Sequence, residues 1–229
     1  MLDQTLTPRP HAKPAPQRVF DAARPERRAR ALADLLEGLA RWRLAWALAR
    51  NDIRHRYRGS VLGPLWITLS LAVMLLAMGL LYANLFKMEL HNYMPWLAVS
   101  LIVWGLISQV MLEACTCFTA AEGVVHRFPL PYTLYALRSV MRNMLIAAHH
   151  LPLIAAVMLV FGIAPSWSIL LLPLGVLLFT VNAVAVSVLL GMICARFRDV
   201  APIMGSVIQI VFFVTPIIWK PELLGENSA

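Results

Sequence analysis

Residues 143–195 are fifty-three consecutive positions without an Asp, Glu, Lys or Arg. A soluble domain of ordinary composition carries about one charged residue in four. A run this long therefore needs an apolar solvent around it. It is also too long for one crossing, because about 20 helical residues already span a hydrocarbon core of roughly 30 Å. The stretch Gly162-Ile163-Ala164-Pro165-Ser166-Trp167-Ser168 holds the residue types that punctuate helices. The run thus predicts a hairpin of two membrane helices, Leu145–Phe161 and Ile169–Ala195.

Three more runs follow the same logic. Leu65–Phe86 is uncharged, Pro95–Ala121 is interrupted only by Glu113, and Val200–Trp219 is uncharged again. Five crossings are predicted. Each must satisfy its own backbone hydrogen bonds in lipid, so the expected fold class is all-α, a polytopic membrane helix bundle. Alternating ten-residue segments, the mark of a membrane barrel, are absent. Charged residues make up only 14% of the chain, which excludes an ordinary soluble enzyme. Cys115, Cys117 and Cys194 form no zinc set with histidine and read as small apolar fillers, so no metal is expected.

The net charge of +8 is unevenly placed: 13 of the 20 Lys and Arg lie in residues 1–60. With the remainder nearly charge-free, this is a membrane flank and not a nucleic-acid surface. A cytoplasmic N-terminus puts 18 basic residues inside and only Lys87 and Lys220 outside, as the positive-inside preference requires. Residues 1–31, with five prolines among arginines, have no apolar core of a secretory signal and predict a disordered arm. Residues 32–60 predict an amphipathic helix in the cytoplasmic interface. Leu32, Leu35, Leu36, Leu39, Trp42, Trp46, Ile53 and Tyr57 recur at three- and four-residue steps, with Trp42 and Trp46 at headgroup depth. A plain helix packed on the bundle is the other reading. Residues 61–219 form the membrane domain and 220–229 an external tail.

Catalytic motifs are missing. Lysine occurs only at 13, 87 and 220, never after Gly, so the chain has no P-loop; H-E-x-x-H and G-x-S-x-G are absent too. Ion-driven carriers place ionisable groups inside the membrane. Only Glu113, His149 and His150 qualify here, and Glu113 reads as a helix-end carboxylate.

Three segments carry a family likeness. Arg56-Tyr57-Arg58-Gly59-Ser60-Val61-Leu62-Gly63-Pro64-Leu65-Trp66 resembles the R-Y-R-x-S-x-L-G-x-x-W motif of ABC-2 type permeases that export polysaccharides such as O-antigen, capsule and teichoic acid. His126-Arg127-Phe128-Pro129-Leu130 resembles that family's basic-Phe-Pro loop. Arg196-Phe197-Arg198-Asp199-Val200, followed by Thr215-Pro216-Ile217, resembles its R-x-R-D to T-P-I stretch.

The resemblance implies two permease copies around a central path, with a separate P-loop ATPase subunit that binds ATP and Mg. A lipid-linked glycan would move outward across the inner membrane of a bacterium, with no cofactor in this chain. The ATPase would touch the interfacial helix at Trp42 and Trp46 and the loop region at Glu122, Arg127, Phe128, Pro129 and Arg138. Arg196, Arg198 and Asp199 would form a second cytoplasmic loop. Arginine forks match phosphate oxygens, so Arg54, Arg56 and Arg58 beside Tyr57 are candidates for headgroup recognition, against plain attraction to anionic lipids. Trp66, Tyr82, Phe86, Trp104, His149 and His150 are candidates along a glycan path, against an aromatic belt for the rings and a polar patch at a proline kink for the histidines. The family pattern expects six crossings; with five here, residues 220–229 read as a truncated external tail. A permease for another lipid or drug, and a membrane scaffold that transports nothing, remain the alternatives.

Overall fold

The computed structural model describes residues 27–63, 65–125, 130–164 and 166–221. Among these, every regular element is helical. Helices α1 (Arg27–Ala40) and α2 (Trp42–Arg56) precede α3 (Leu65–Leu85) and α4 (Leu90–Thr116). A short α5 (Glu122–Val125) leads to α6 (Tyr132–His149) and α7 (Leu151–Val160). A 3₁₀ turn, Trp167–Leu171, enters α8 (Leu172–Arg196), and α9 (Val200–Val214) follows.

Among the described residues, four segments are long and apolar enough to cross a membrane: Leu65–Leu85, Leu90–Thr116, Tyr132–Val160 and Trp167–Arg196. The chain is a multi-pass helical membrane protein. The third span corrects the sequence expectation. It begins at Tyr132, not Leu145, because α6 and α7 run on through a junction at His150 with Pro152 in the first turn of α7. Arg138 and Arg142 broke the apolar run in the sequence, yet each has a carboxylate partner in the fold and the helix continues through them.

The fifth run also differs. Only Val200–Val214 is helical, about 22 Å at 1.5 Å per residue. Pro216 explains the stop, since the residue before a proline is driven out of the helical region. Thr215 is extended (φ −76°, ψ 138°), and Ile217 and Ile218 then tuck into the bundle. The Tyr93 hydroxyl, fully buried at the start of α4, donates to the Ile218 carbonyl at 2.6 Å.

α4 is the central staff, touched by α3, α6, α7, α8 and α9. Its early half packs with α3 through Leu75, Ala83, Tyr93, Met94 and Leu97. Its later half meets α8, and Gly191 of α8 lies tight against the turn that follows α4. A Cβ there would stand 2.7 Å from the Cys117 sulfur and 2.8 Å from the Phe118 ring. Cys115 and Cys194 are buried free thiols in this region.

The stretch read as one amphipathic helix is two, separated at Arg41 (φ −89°, ψ 22°). α2 lies on α6 through Ala45, Ala49 and Ile53, all buried. Small residues at four-residue spacing let the two backbones approach closely. Leu32, Leu35, Leu36, Leu39, Trp42 and Trp46 face outward.

Candidate functional site

The hydrogen bonds that join the outer helix pair to the membrane spans converge on α6. Its first turn has orphan backbone N–H groups and no cap of its own, since Pro131 precedes it. Asp34 of α1 supplies the cap from 98 residues away. Its carboxylate accepts the Tyr132 N–H at 2.8 Å, the Thr133 N–H at 3.0 Å and the Thr133 hydroxyl at 2.8 Å. A carboxylate at a helix N-terminus also meets the positive end of the helix dipole. Gly38 permits the contact, because a Cβ there would stand 2.6 Å from Thr133 Cβ.

Two turns further on, an ion-pair cluster forms. Asp52 shares the face of α2 that carries Ala45 and Ala49. It accepts both Arg138 Nε (2.8 Å) and Arg138 Nη2 (2.5 Å), a fork geometry, and Arg142 Nη1 at 3.0 Å. Arg142 reaches on to Glu113 of α4 at 2.7 Å. The same Glu113 oxygen accepts Asn143 Nδ2 at 2.6 Å and the Ser139 hydroxyl at 3.2 Å. Its other oxygen is 3.9 Å from the Arg56 guanidinium. Burial pushes the Asp52 carboxyl up, but the hydrogen bonds and charge of Arg138, joined by those of Arg142, outweigh it and hold the carboxyl below its ordinary value of 3.8. The cluster fastens α2, α4 and α6 at one level of the bundle.

Beside it lies a cavity of about 340 Å³ between the end of α2 and helices α3, α4 and α6. Arg56, Tyr57, Gln109, Asn143 and His150 are among the residues that line it. The His150 Nδ1 is buried without a hydrogen-bond partner.

The predicted residues distribute unevenly over this geometry. Arg56 and Tyr57 join the cavity, whereas Arg54 and Arg58 are exposed outside it. Arg138 is not a free handle, since Asp52 occupies it. Glu113 is more than a helix-end carboxylate: it is the hub of the cluster. Trp42 and Trp46 remain exposed on α2, and Glu122 is exposed on α5. Arg127, Phe128 and Pro129 lie outside the described residues. Arg196 at the end of α8, and Arg198 and Asp199 between α8 and α9, are exposed, with Arg196 over the Phe197 ring at 5.6 Å. Of the path candidates only His150 lines the cavity. His149 is occupied locally: Nδ1 is 2.6 Å from the Leu145 carbonyl, and its own carbonyl accepts the Thr68 hydroxyl at 2.7 Å. Tyr82 and Phe86 stack on each other, Trp104 packs against Phe212, and Trp66 is exposed.

Sequence reasoning singled out neither Asp52 nor Asp34. Small residues aligned with a single aspartate, as in Ala45-x₃-Ala49-x₂-Asp52, were the available signal for Asp52.

A membrane helix bundle with a helix pair fastened to one end of its third span defines the class. The ABC-2 type transporter family matches residues 43–227, and the chain belongs to that family. It is therefore a transporter permease. An O-antigen export system permease protein RfbA of Myxococcus xanthus is 25% identical over 183 residues, covering 80% of this chain and 70% of that protein. Two proteins of the same description from Klebsiella pneumoniae are 24% and 23% identical over 184 residues, each alignment covering 79% of this chain and 70% of the relative.

Proposed function

We propose that this chain is the permease of an ATP-driven exporter that moves a lipid-linked polysaccharide outward across a bacterial inner membrane. Its N-terminus is cytoplasmic, and a second copy completes the path. A separate P-loop ATPase, which binds ATP and Mg, docks on the outward faces of α1 and α2, with Trp42 and Trp46 as anchors. Glu122, with Arg127, Phe128 and Pro129 of the segment that follows it, forms the second contact, and Arg196, Arg198 and Asp199 a third.

The observation that carries this reading is the fastening of α1 and α2 to α6. A push on the helix pair is delivered through Asp34 and Asp52 to the third membrane span, and through Arg142 and Glu113 to α4. Charge-assisted bonds in a partly dry site are stiff enough to transmit it. The relatives' description as O-antigen export permeases supports a glycan cargo. Arg54, Arg56, Tyr57 and Arg58 meet the phosphate of its lipid anchor. Trp66, Tyr82, Phe86, Trp104, His149 and His150 offer ring faces and polar edges to the sugars.

The test is co-expression with a candidate P-loop ATPase subunit. Co-elution after gentle extraction, with ATP hydrolysis that depends on both chains and weakens in a Trp42→Ala/Trp46→Ala variant, is the expected result. An ATPase that never co-elutes with the folded permease overturns the proposal.

A further inference from the structure

We propose that the pocket between the end of α4 and α6 is an internal water site, anchored by the Tyr135 hydroxyl, that completes the hydrogen bonding of the ion-pair cluster. The inference goes beyond the proposed function and does not depend on it.

The orphan group comes first. Tyr135 is 2% exposed, and its hydroxyl has no hydrogen-bond partner among the described residues. The ring has a plain role, since it packs with Phe118 and Ala121. Phenylalanine would fill that role without the hydroxyl. A buried hydroxyl left unpaired is costly, and such groups in native proteins are satisfied by the chain itself or by ordered water.

The surroundings come second. Tyr135 lines a pocket of about 80 Å³, together with Glu113, Thr116, Arg138, Ser139 and Arg142. One water needs about 10–15 Å³ of such volume and two to four polar partners. The pocket therefore has room for more than one. Two guanidiniums and a carboxylate in the lining make it unsuitable for an apolar occupant. Charge balance argues against a bare ion, because Arg138 and Arg142 are already matched by Asp52 and Glu113.

Unused bonding capacity comes third. Arg138 holds Asp52 through Nε and Nη2, which leaves the Nη1 donors over. Glu113 Oε2 accepts from Ser139, Arg142 and Asn143, whereas Oε1 has only the 3.9 Å contact with Arg56. Water accepts from a guanidinium and donates to a carboxylate, and the Tyr135 hydroxyl bonds to water in either sense. Bridging water thus joins Tyr135 to the hub of the cluster. It also gives the cluster room to move: water takes up a hydrogen bond as an ion pair lengthens, so no bare charge is stranded in a dry site.

The experiment pairs thermal unfolding of the full chain in detergent micelles with X-ray hydroxyl-radical footprinting. Radicals formed from bound water oxidise the side chains beside it. The control is Tyr93, also fully buried, whose hydroxyl already donates to the Ile218 carbonyl. Tyr135 is expected to be oxidised several times faster than Tyr93. Tyr135→Phe is expected to lower Tm by about 2–4 °C, the worth of one ordinary hydrogen bond in a chain of this size. In a dry pocket the sign reverses, because the substitution then removes an unpaired hydroxyl and raises Tm. A folded Tyr135→Phe chain with unchanged or higher Tm, or oxidation of Tyr135 no faster than that of Tyr93, overturns the proposal. If Tyr135→Phe does not fold, footprinting of the unaltered chain decides alone.

Discussion

Replacing Asp52 by Asn removes the charge that binds Arg138 and Arg142 while keeping the side chain's shape. Exposed ion pairs contribute about 0.2–1 kcal/mol, whereas breaking a fully buried pair costs about 3–5 kcal/mol. The Asp52 and Arg138 side chains are 17% and 27% exposed, so the cost belongs between these limits. Arg142 keeps Glu113, so the loss falls mainly on Arg138. We expect Asp52→Asn to cost about 2 kcal/mol. For a chain of this size that lowers the melting temperature by about 4–8 °C. A double-mutant cycle with Arg138→Gln, read by thermal unfolding in detergent, isolates the pair. The coupling energy should be about 2 kcal/mol, against about 0.5 kcal/mol or less for the solvent-exposed Glu37–Arg41 pair. A coupling no larger than that control would refute the view that Asp52 fastens α2 to α6.

Three further outcomes follow from the geometry. Asp34→Ala removes the cap of α6, worth about 0.5–2 kcal/mol, so hydrogen exchange at the Tyr132 and Thr133 amides should quicken about tenfold. Gly191→Val should cost about 1–3 kcal/mol by driving methyl groups into Cys117 and Phe118, while Gly175→Ala in the same helix, with open space around it, should be neutral or slightly stabilising in a thermal melt. The Asp52 carboxyl is held below its ordinary value, so its contribution is complete above 3.8 and is lost as pH falls through the lowered value. Acid titration of α2 docking, followed by fluorescence of Trp42 and Trp46, should show release only below that ordinary value, and the Asp52→Asn chain should show no such step.

Much of the fold was legible because lipid imposes a simple rule on sequence. Uncharged runs gave α3 and α8 to within a few residues, and the Gly162–Ser168 punctuation gave the hairpin between α7 and α8. The same rule failed where charges are paired inside the bundle. Arg138 and Arg142 ended the run in sequence but not the helix in space, because Asp52 and Glu113 neutralise them. It failed again at Pro216, where an apolar run continues after the helix has stopped. The site was half legible. Arg56 and Tyr57 stand in a recognisable motif, and His150 was visible as a polar residue in an apolar run. Asp34 and Asp52 look like solvent-face residues on their own helices. Their partners lie 86–99 residues away, a separation that local periodicity does not encode.

The most direct test of the proposed function is ATP-dependent movement of lipid-linked polysaccharide into inverted membrane vesicles carrying this chain and a candidate P-loop ATPase. Accumulation that requires both proteins and ATP, and that falls sharply when Asp52→Asn permease still co-elutes with the ATPase, is the result expected. Accumulation at the same rate without this chain, or at full rate in the Asp52→Asn complex, would contradict the claim that the fastened helix pair drives the spans.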